Sequence, residues 1–304
     1  MQRRVFINRS FYGSLMLVAG SGSLNAFPAG RRQTKVTILH TNDWHSRIEP
    51  FPIDGGRNAG QGGAVRRAAL IDKIRREEEH VLLFDSGDVF QGTPYFNFFQ
   101  GELEFKLMSQ MGYDAGTIGN HDFDAGVEGL ARQLPHTNFP LLSANYDFSG
   151  TAMEGKTLPY HIIEKGPVRV GVFGVGIELK GLVPDELYGN TVYQDPIERA
   201  NKTAKLLKEV KSCDLVVSLS HLGYRYRSEK VSDVVLAEQS KFIDIILGGH
   251  THTFLSQPES VTNLEGEPVI INQVGWAGLR LGRLDIVFDR SRKQACVDCK
   301  NLLV

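Results

Sequence analysis

Imidazoles, carboxylates and a carboxamide fall in five short clusters, each just behind a run of β-prone apolar residues. Val36-Thr37-Ile38-Leu39 leads into Asp43 and His45, and Val81-Leu82-Leu83-Phe84 into Gly87-Asp88. Ala115-Gly116-Thr117-Ile118 leads into Gly119-Asn120-His121-Asp122, with Asp124 close behind. Leu215-Val216-Val217-Ser218-Leu219 leads into His221, and Ile245-Ile246-Leu247 into Gly248-Gly249-His250-Thr251-His252. Taken singly, an Asp behind a strand serves a turn or cap, and a lone His is an ordinary hydrogen-bonded residue. Five such clusters in one topological position carry a different meaning. Neutral nitrogen and anionic oxygen donors together suit Mn, Fe or Zn. An Asp set between two groups of ligands can bridge two ions, the arrangement that clamps both oxygens of a phosphoryl displacement.

The elements behind these clusters must carry them to one place. Short β-rich runs recur at residues 36–39, 81–84, 141–142, 168–173, 215–219, 243–247, 269–272 and 284–288. Helix-period segments lie between several of them. Residues 64–79 place Ala64, Ala68, Ile71 and Ile74 on one face, and residues 196–210 place Ala200, Ala204 and Leu207 together, with Pro196 suited to a first turn. This alternation predicts an α/β fold. In α/β sheets ligands bind beyond the carboxyl ends of the strands, so one rim can receive Asp, His and Asn together. Glycines beside them permit close backbone approach. No Pro/Ser-rich linker interrupts residues 30–304, which predicts one domain.

Composition narrows the classes. The 304 residues hold 34 Lys plus Arg against 35 Asp plus Glu, a net charge of −1 that offers no basic field to nucleic acid. Three Cys are too few for a disulfide scaffold, and Cys296 and Cys299 have no second pair with which to build a four-Cys zinc site. Residues 1–29 carry Arg3, Arg4 and Arg9 without an acid, followed by an apolar, Gly-rich stretch. That stretch falls short of the about 20 apolar residues of a membrane span. Arg3-Arg4-Val5-Phe6-Ile7 is similar to a twin-arginine export signal, which predicts a periplasmic or extracellular address for residues 30–304.

In order along the chain, Asp-x-His, Gly-Asp, Gly-Asn-His-Asp, His221 and Gly-His-Thr-His resemble the calcineurin-like metallophosphoesterases. The wider wording is similar to the catalytic, N-terminal domain of bacterial 5′-nucleotidases: Thr41 to Pro50, Gly62-Gly63-Ala64, Gly87 to Pro94 and Gly275-Trp276. The resemblance implies a four-layer α-β-β-α sandwich of two mixed sheets. It implies one divalent ion held by Asp43, His45, Asp88 and His252, and a second held by Asp88, Asn120, His221 and His250, the metals being Mn, Zn, Fe or Co. Asn120 and His121 would face the phosphate, with Asp124 as the partner of His121 and Asp122 as its rival. A hydroxide shared by the ions would attack phosphorus in line while His121 assists the leaving group. The implied activity is hydrolysis of phosphomonoesters, 5′-nucleotides or related small phosphoesters.

The resemblance stops short of the base-binding C-terminal domain of those nucleotidases. Within this sequence Trp44, Arg47, Phe90, Tyr95, Phe96 and Tyr224, with Arg225, Tyr226 and Arg227, lie near the motifs and are the candidates for contacting substrate. Three alternatives follow: a catalytic subunit whose nucleotide-binding domain is a separate chain, a cyclic-nucleotide phosphodiesterase, and a non-catalytic metal-binding protein. The intact ligand motifs and His121 weigh against the last.

Overall fold

The computed structural model describes residues 33–289 and 294–304, the backbone alone at 294–297. The export signal read in residues 1–29 lies outside them. In chain order the first half runs β1 (Thr34–Thr41), α1 (Ala64–Glu77), β2 (Val81–Asp85), α2 (Pro94–Phe99), α3 (Glu102–Met111), β3 (Ala115–Thr117), α4 (Gly126–Gln133) and β4 (Leu141–Leu142). There follow β5 (Tyr146–Asp147), β6 (Tyr160–Lys165), β7 (Val168–Gly176), α5 (Asp185–Tyr188), β8 (Val192–Tyr193), α6 (Pro196–Lys205) and β9 (Leu215–His221). The chain continues through α7 (Asp233–Glu238), β10 (Ile245–Gly248), β11 (Glu259–Thr262), β12 (Pro268–Asn272), β13 (Arg280–Phe288) and β14 (Gln294–Leu303).

Two six-stranded sheets result. The first has the order β14-β13-β1-β2-β3-β4, with β1 to β4 parallel and β13 and β14 antiparallel to their neighbours. The second has the order β11-β12-β10-β9-β7-β6, four parallel strands with an antiparallel strand at each edge. Strand side chains alternate between faces, and here both faces are covered, which is why the central strands read as unbroken apolar runs. Val36, Ile38, Leu82 and Phe84 of the first sheet meet Val170, Val172, Leu215 and Val217 of the second. Leu39 and Leu83 point the other way, into Ile71 and Ile74 of α1 and Phe105 and Met108 of α3. On the far side Phe173, Val216 and Ile246 pack on Ala200 and Ala204 of α6 and Leu236 of α7. The layers are therefore α-β-β-α, two mixed sheets between helices.

Local signals account for the helix ends. Asp195 accepts hydrogen bonds from the backbone of Ile197 and Glu198 ahead of Pro196, and the helix widens into a π turn at Leu206–Val210. The apolar runs of the sequence do not announce strands β6, β11 and β14. All three are edge strands, where one side of the ladder and much of the side-chain surface stay polar. On β14, which sits opposite β13, Cys299 is disulfide-bonded, while Cys213 is buried and free.

Candidate metal and active site

The carboxyl ends of β1, β2 and β3 carry Asp43 and His45, Asp88, and Asn120 with His121. The ends of β9 and β10 carry His221, and His250 with His252. The two sets meet across the seam between the sheets. His221 Nε2 lies 3.0 Å from Asp88 Oδ2, and His252 Nε2 lies 3.3 Å from Asp43 Oδ1 and 2.9 Å from His45 Nε2. His250 Nδ1 lies 2.8 Å from Asn120 Oδ1. Two groups emerge, Asp43 with His45 and His252, and Asp88 with His221 and His250, each with its ligand atoms within 4.8 Å of one another. Asp88 Oδ2 is also 3.9 Å from His45 Nε2, so its carboxylate stands between the groups.

The backbone is bent to achieve this. Asp43, His45, Asp88, His250 and His252 all lie in the left-handed region, with φ of 51°, 52°, 54°, 71° and 52°. For residues with a Cβ each costs about 1–3 kcal/mol and persists only where the surroundings enforce it. Enforcement comes from loop-to-loop bonds: the Asp43 amide donates to the Gly87 carbonyl at 2.9 Å, and the His45 amide to the Asp88 carbonyl at 3.0 Å. Asp122 does more. Its Oδ2 accepts from the amides of Asp88 and Gly119, and its Oδ1 from those of Val89 and Phe90, at 2.8–3.1 Å. Gly119 is required by space alone, since a Cβ there would stand 2.1 Å from Asp88 Oδ1. Asp122 is therefore the clamp of the Asp88 loop, and His121 Nδ1 instead lies 2.9 Å from Asp124 Oδ2. Asp122→Ala leaves four buried amides without acceptors, each worth about 1–3 kcal/mol before relaxation. A loss of about 3–5 kcal/mol in urea unfolding is expected, and an unchanged midpoint would refute the clamp.

Electrostatics mark the same spot. His221 Nδ1 is 2.7 Å from the Ser86 carbonyl and must donate to it, which turns Nε2 toward Asp88. Burial pulls His221 down, yet the Asp88 charge wins and lifts it to about 10. Burial opposes the ionisation of Asp88, and the His221 charge holds it below the ordinary carboxylate range. Burial and the neighbouring His221 push His250 down to about 4. His121 moves the other way, raised by its hydrogen bond to Asp124. Its ring is 41% exposed, in the open wall of the site and 5.3 Å from the His45 ring.

Comparison with known proteins decides the family. The family model for calcineurin-like phosphoesterase matches residues 36–254. The chain belongs to the calcineurin-like phosphoesterases. It is 35% identical over 296 residues to a snake venom 5′-nucleotidase of Gloydius brevicauda, covering 90% of this chain and 49% of that protein. Against the 5′-nucleotidase of Bos taurus the identity is 35% over 284 residues, covering 86% and 48%. The crystal structure of a 5′-nucleotidase precursor from Thermus thermophilus superposes with a TM-score of 0.79 at 34% identity, covering 89% of this chain and 54% of that one. The chain spans about half the length of the curated relatives it matches.

This phosphoesterase fits the two divalent ions that its family uses. His45 Nε2 and His252 Nε2, 2.9 Å apart, lie 3.9 and 3.3 Å from Asp43 Oδ1, and His221 Nε2 lies buried 3.0 Å from Asp88 Oδ2. Nitrogen and carboxylate donors that converge in this way are the geometry of ligands of one cation. Several residues named for substrate are committed elsewhere. Trp44 is 1% exposed, with the Arg67 guanidinium 3.9 Å over its ring, so it has no face left for a ligand. Phe90 is buried against Phe96 and Phe105. Arg47 stacks on Phe51, Tyr95 bonds Glu49, and Tyr224 and Arg225 both turn to Glu259.

Sequence reasoning gave no role to Trp276. Its indole stacks flat on the His252 imidazole, centroids 5.7 Å apart and planes 8° apart. His45 and His221 have their Nδ1 atoms at backbone carbonyls, but His252, 39% exposed, has no partner for Nδ1 among the described residues. Stacking thus does for His252 what a hydrogen bond does for the others. Trp276→Ala is expected to weaken binding of one of two Mn ions about 10–100-fold in calorimetric titration, as loss of a ligand's support does, while Trp276→Phe keeps most of the affinity. Equal affinities in all three proteins would refute this. Only the Gly275-Trp276 wording in a loop close to β12 hinted at it.

Proposed function

We propose that this phosphoesterase is an exported two-metal phosphomonoesterase acting on 5′-nucleotides or related small phosphoesters. The observation that carries the reading is the Asp88 carboxylate between two imidazole groups, with the exposed His121 beside it. Asp43, His45, Asp88 and His252 would hold one ion, and Asp88, Asn120, His221 and His250 the other. Two divalent ions bound there supply Lewis-acid polarisation of the phosphoryl group and a nucleophilic water at neutral pH. The protein's own residues do the rest. Asn120 and His121 face the phosphoryl group, and the His121 amide, donating to Asp88 Oδ1 at 2.7 Å, ties that loop to the bridge. Asp124 accepts the Nδ1 proton of His121, which leaves Nε2 to give a proton to the departing oxygen. The export signal in residues 1–29 supports a periplasmic or extracellular address. Among the described residues no helix is long and apolar enough to cross a membrane.

The test is a hydrolysis panel on purified protein loaded with Mn, Zn, Fe or Co: aryl phosphate, nucleoside 5′-monophosphates, sugar phosphates and cyclic nucleotides. Monoesters are expected to be cleaved and cyclic diesters spared, with all activity removed by chelation. Preference for the cyclic diesters, or no hydrolysis by protein carrying two ions, would overturn the proposal.

A further inference from the structure

Trp276 also walls a second cavity, of about 300 Å³, lined besides by Arg57, Asn58, Gln61, Phe254 and Arg280. Two guanidinium groups, two carboxamides, two aromatic rings and two leucines line it, and no acidic side chain does. Among the described residues neither arginine meets an acid; Arg280 lies 5.8 Å from the Phe254 ring centre and reaches the Asn301 carbonyl at 3.4 Å. Nor do the side chains of Asn58 and Gln61 have a hydrogen-bond partner there. The loop that presents three of these residues is built rather than loose. The Phe51 amide donates to the Gln61 carbonyl at 2.9 Å, the Gly60 amide to the Phe51 carbonyl at 3.0 Å, and the Gly62 amide to the terminal carboxylate of Val304 at 3.0 Å. Guanidinium forks without an acidic partner, beside free amide donors, match a phosphate, which they bind through several charge-assisted bonds. A planar ring can lie against Trp276 or Phe254. The same indole touches His252, so a single molecule seated at the ions and in this cavity passes along Trp276.

We propose that the cavity is a subsite for a second phosphate carried on the leaving portion of the substrate. Arg57 and Arg280 grip that phosphate, Asn58 and Gln61 donate to it, and Trp276 flanks the ring that joins it to the scissile group. The phosphoesterase then prefers bisphosphorylated esters to their monophosphate counterparts. This rests on the phosphomonoesterase reading of the metal site.

The experiment compares kcat/KM of the Mn-loaded enzyme for release of the 5′-phosphate from a nucleoside 3′,5′-bisphosphate and from the matching 5′-monophosphate. 4-Nitrophenyl phosphate is the control, and Arg57→Gln, Arg280→Gln and the double variant are run beside the wild type. The wild type should favour the bisphosphate by about tenfold or more, the scale of one or two hydrogen bonds to a charged group. The double variant should lose that preference while its rates on the monophosphate and the aryl phosphate stay unchanged. A wild type without preference, or a preference that survives the double variant, overturns the subsite. So does a cavity that takes only free phosphate, seen as orthophosphate inhibition relieved in the double variant with no substrate preference in the wild type. Failure of the wild type on all three substrates would instead sink the phosphomonoesterase reading. Should Arg280→Gln, on β13, fail to fold by metal content, Arg57→Gln in its exposed loop carries the test alone.

Discussion

Asp88→Asn is expected to lower kcat/KM by about 10³-fold or more and to leave clearly fewer than two ions per chain by mass spectrometry. The substitution keeps the shape and removes the charge that faces both imidazole groups, at 3.0 Å from His221 and 3.9 Å from His45. Lewis-acid stabilisation of the transition state is worth several kcal/mol, and each 1.36 kcal/mol is a factor of ten. A variant that retained two ions and near-normal turnover would sink the bridging role.

His121→Ala should spare metal loading and lower kcat about 10²–10⁴-fold, the range for a general acid. The loss should shrink on 4-nitrophenyl phosphate, whose leaving group departs without a proton. An equal loss on good and poor leaving groups would assign His121 to charge stabilisation instead. The pH profile gives an independent reading. The hydrogen bond to Asp124 raises the pKa of His121, so the protonated acid persists above its ordinary range, and activity falls as pH rises through the raised value. Asp124→Asn should therefore move the alkaline limb of kcat to lower pH. A limb that stays put would show that His121 does not set it.

The chemistry of the site was legible in the sequence because its signals are local. Each candidate ligand sits within a few residues of the strand that delivers it, and a strand read from Val81-Leu82-Leu83-Phe84 already implies an end at which Asp88 appears. The α/β class followed from the same alternation, and the layering came with the family resemblance. Edge strands such as β6 and β14 were less legible, since polar residues interrupt their apolar ones and their pairing partners, not their residues, make them strands.

Tertiary structure alone decided the rest. Asp122 and Asp124 are both within three residues of His121, and only the packing of the Gly87–Phe90 turn against Asp122 separates clamp from partner. Trp44 stands between two candidate ligands in sequence yet points into the core against Arg67, whereas Trp276, more than 200 residues later, reaches His252. The left-handed backbone at five candidate ligands is equally invisible in residue type, because only Gly advertises that conformation. In each case the deciding force is a contact between segments distant in sequence, and a linear sequence records which groups exist there but not which of them meet.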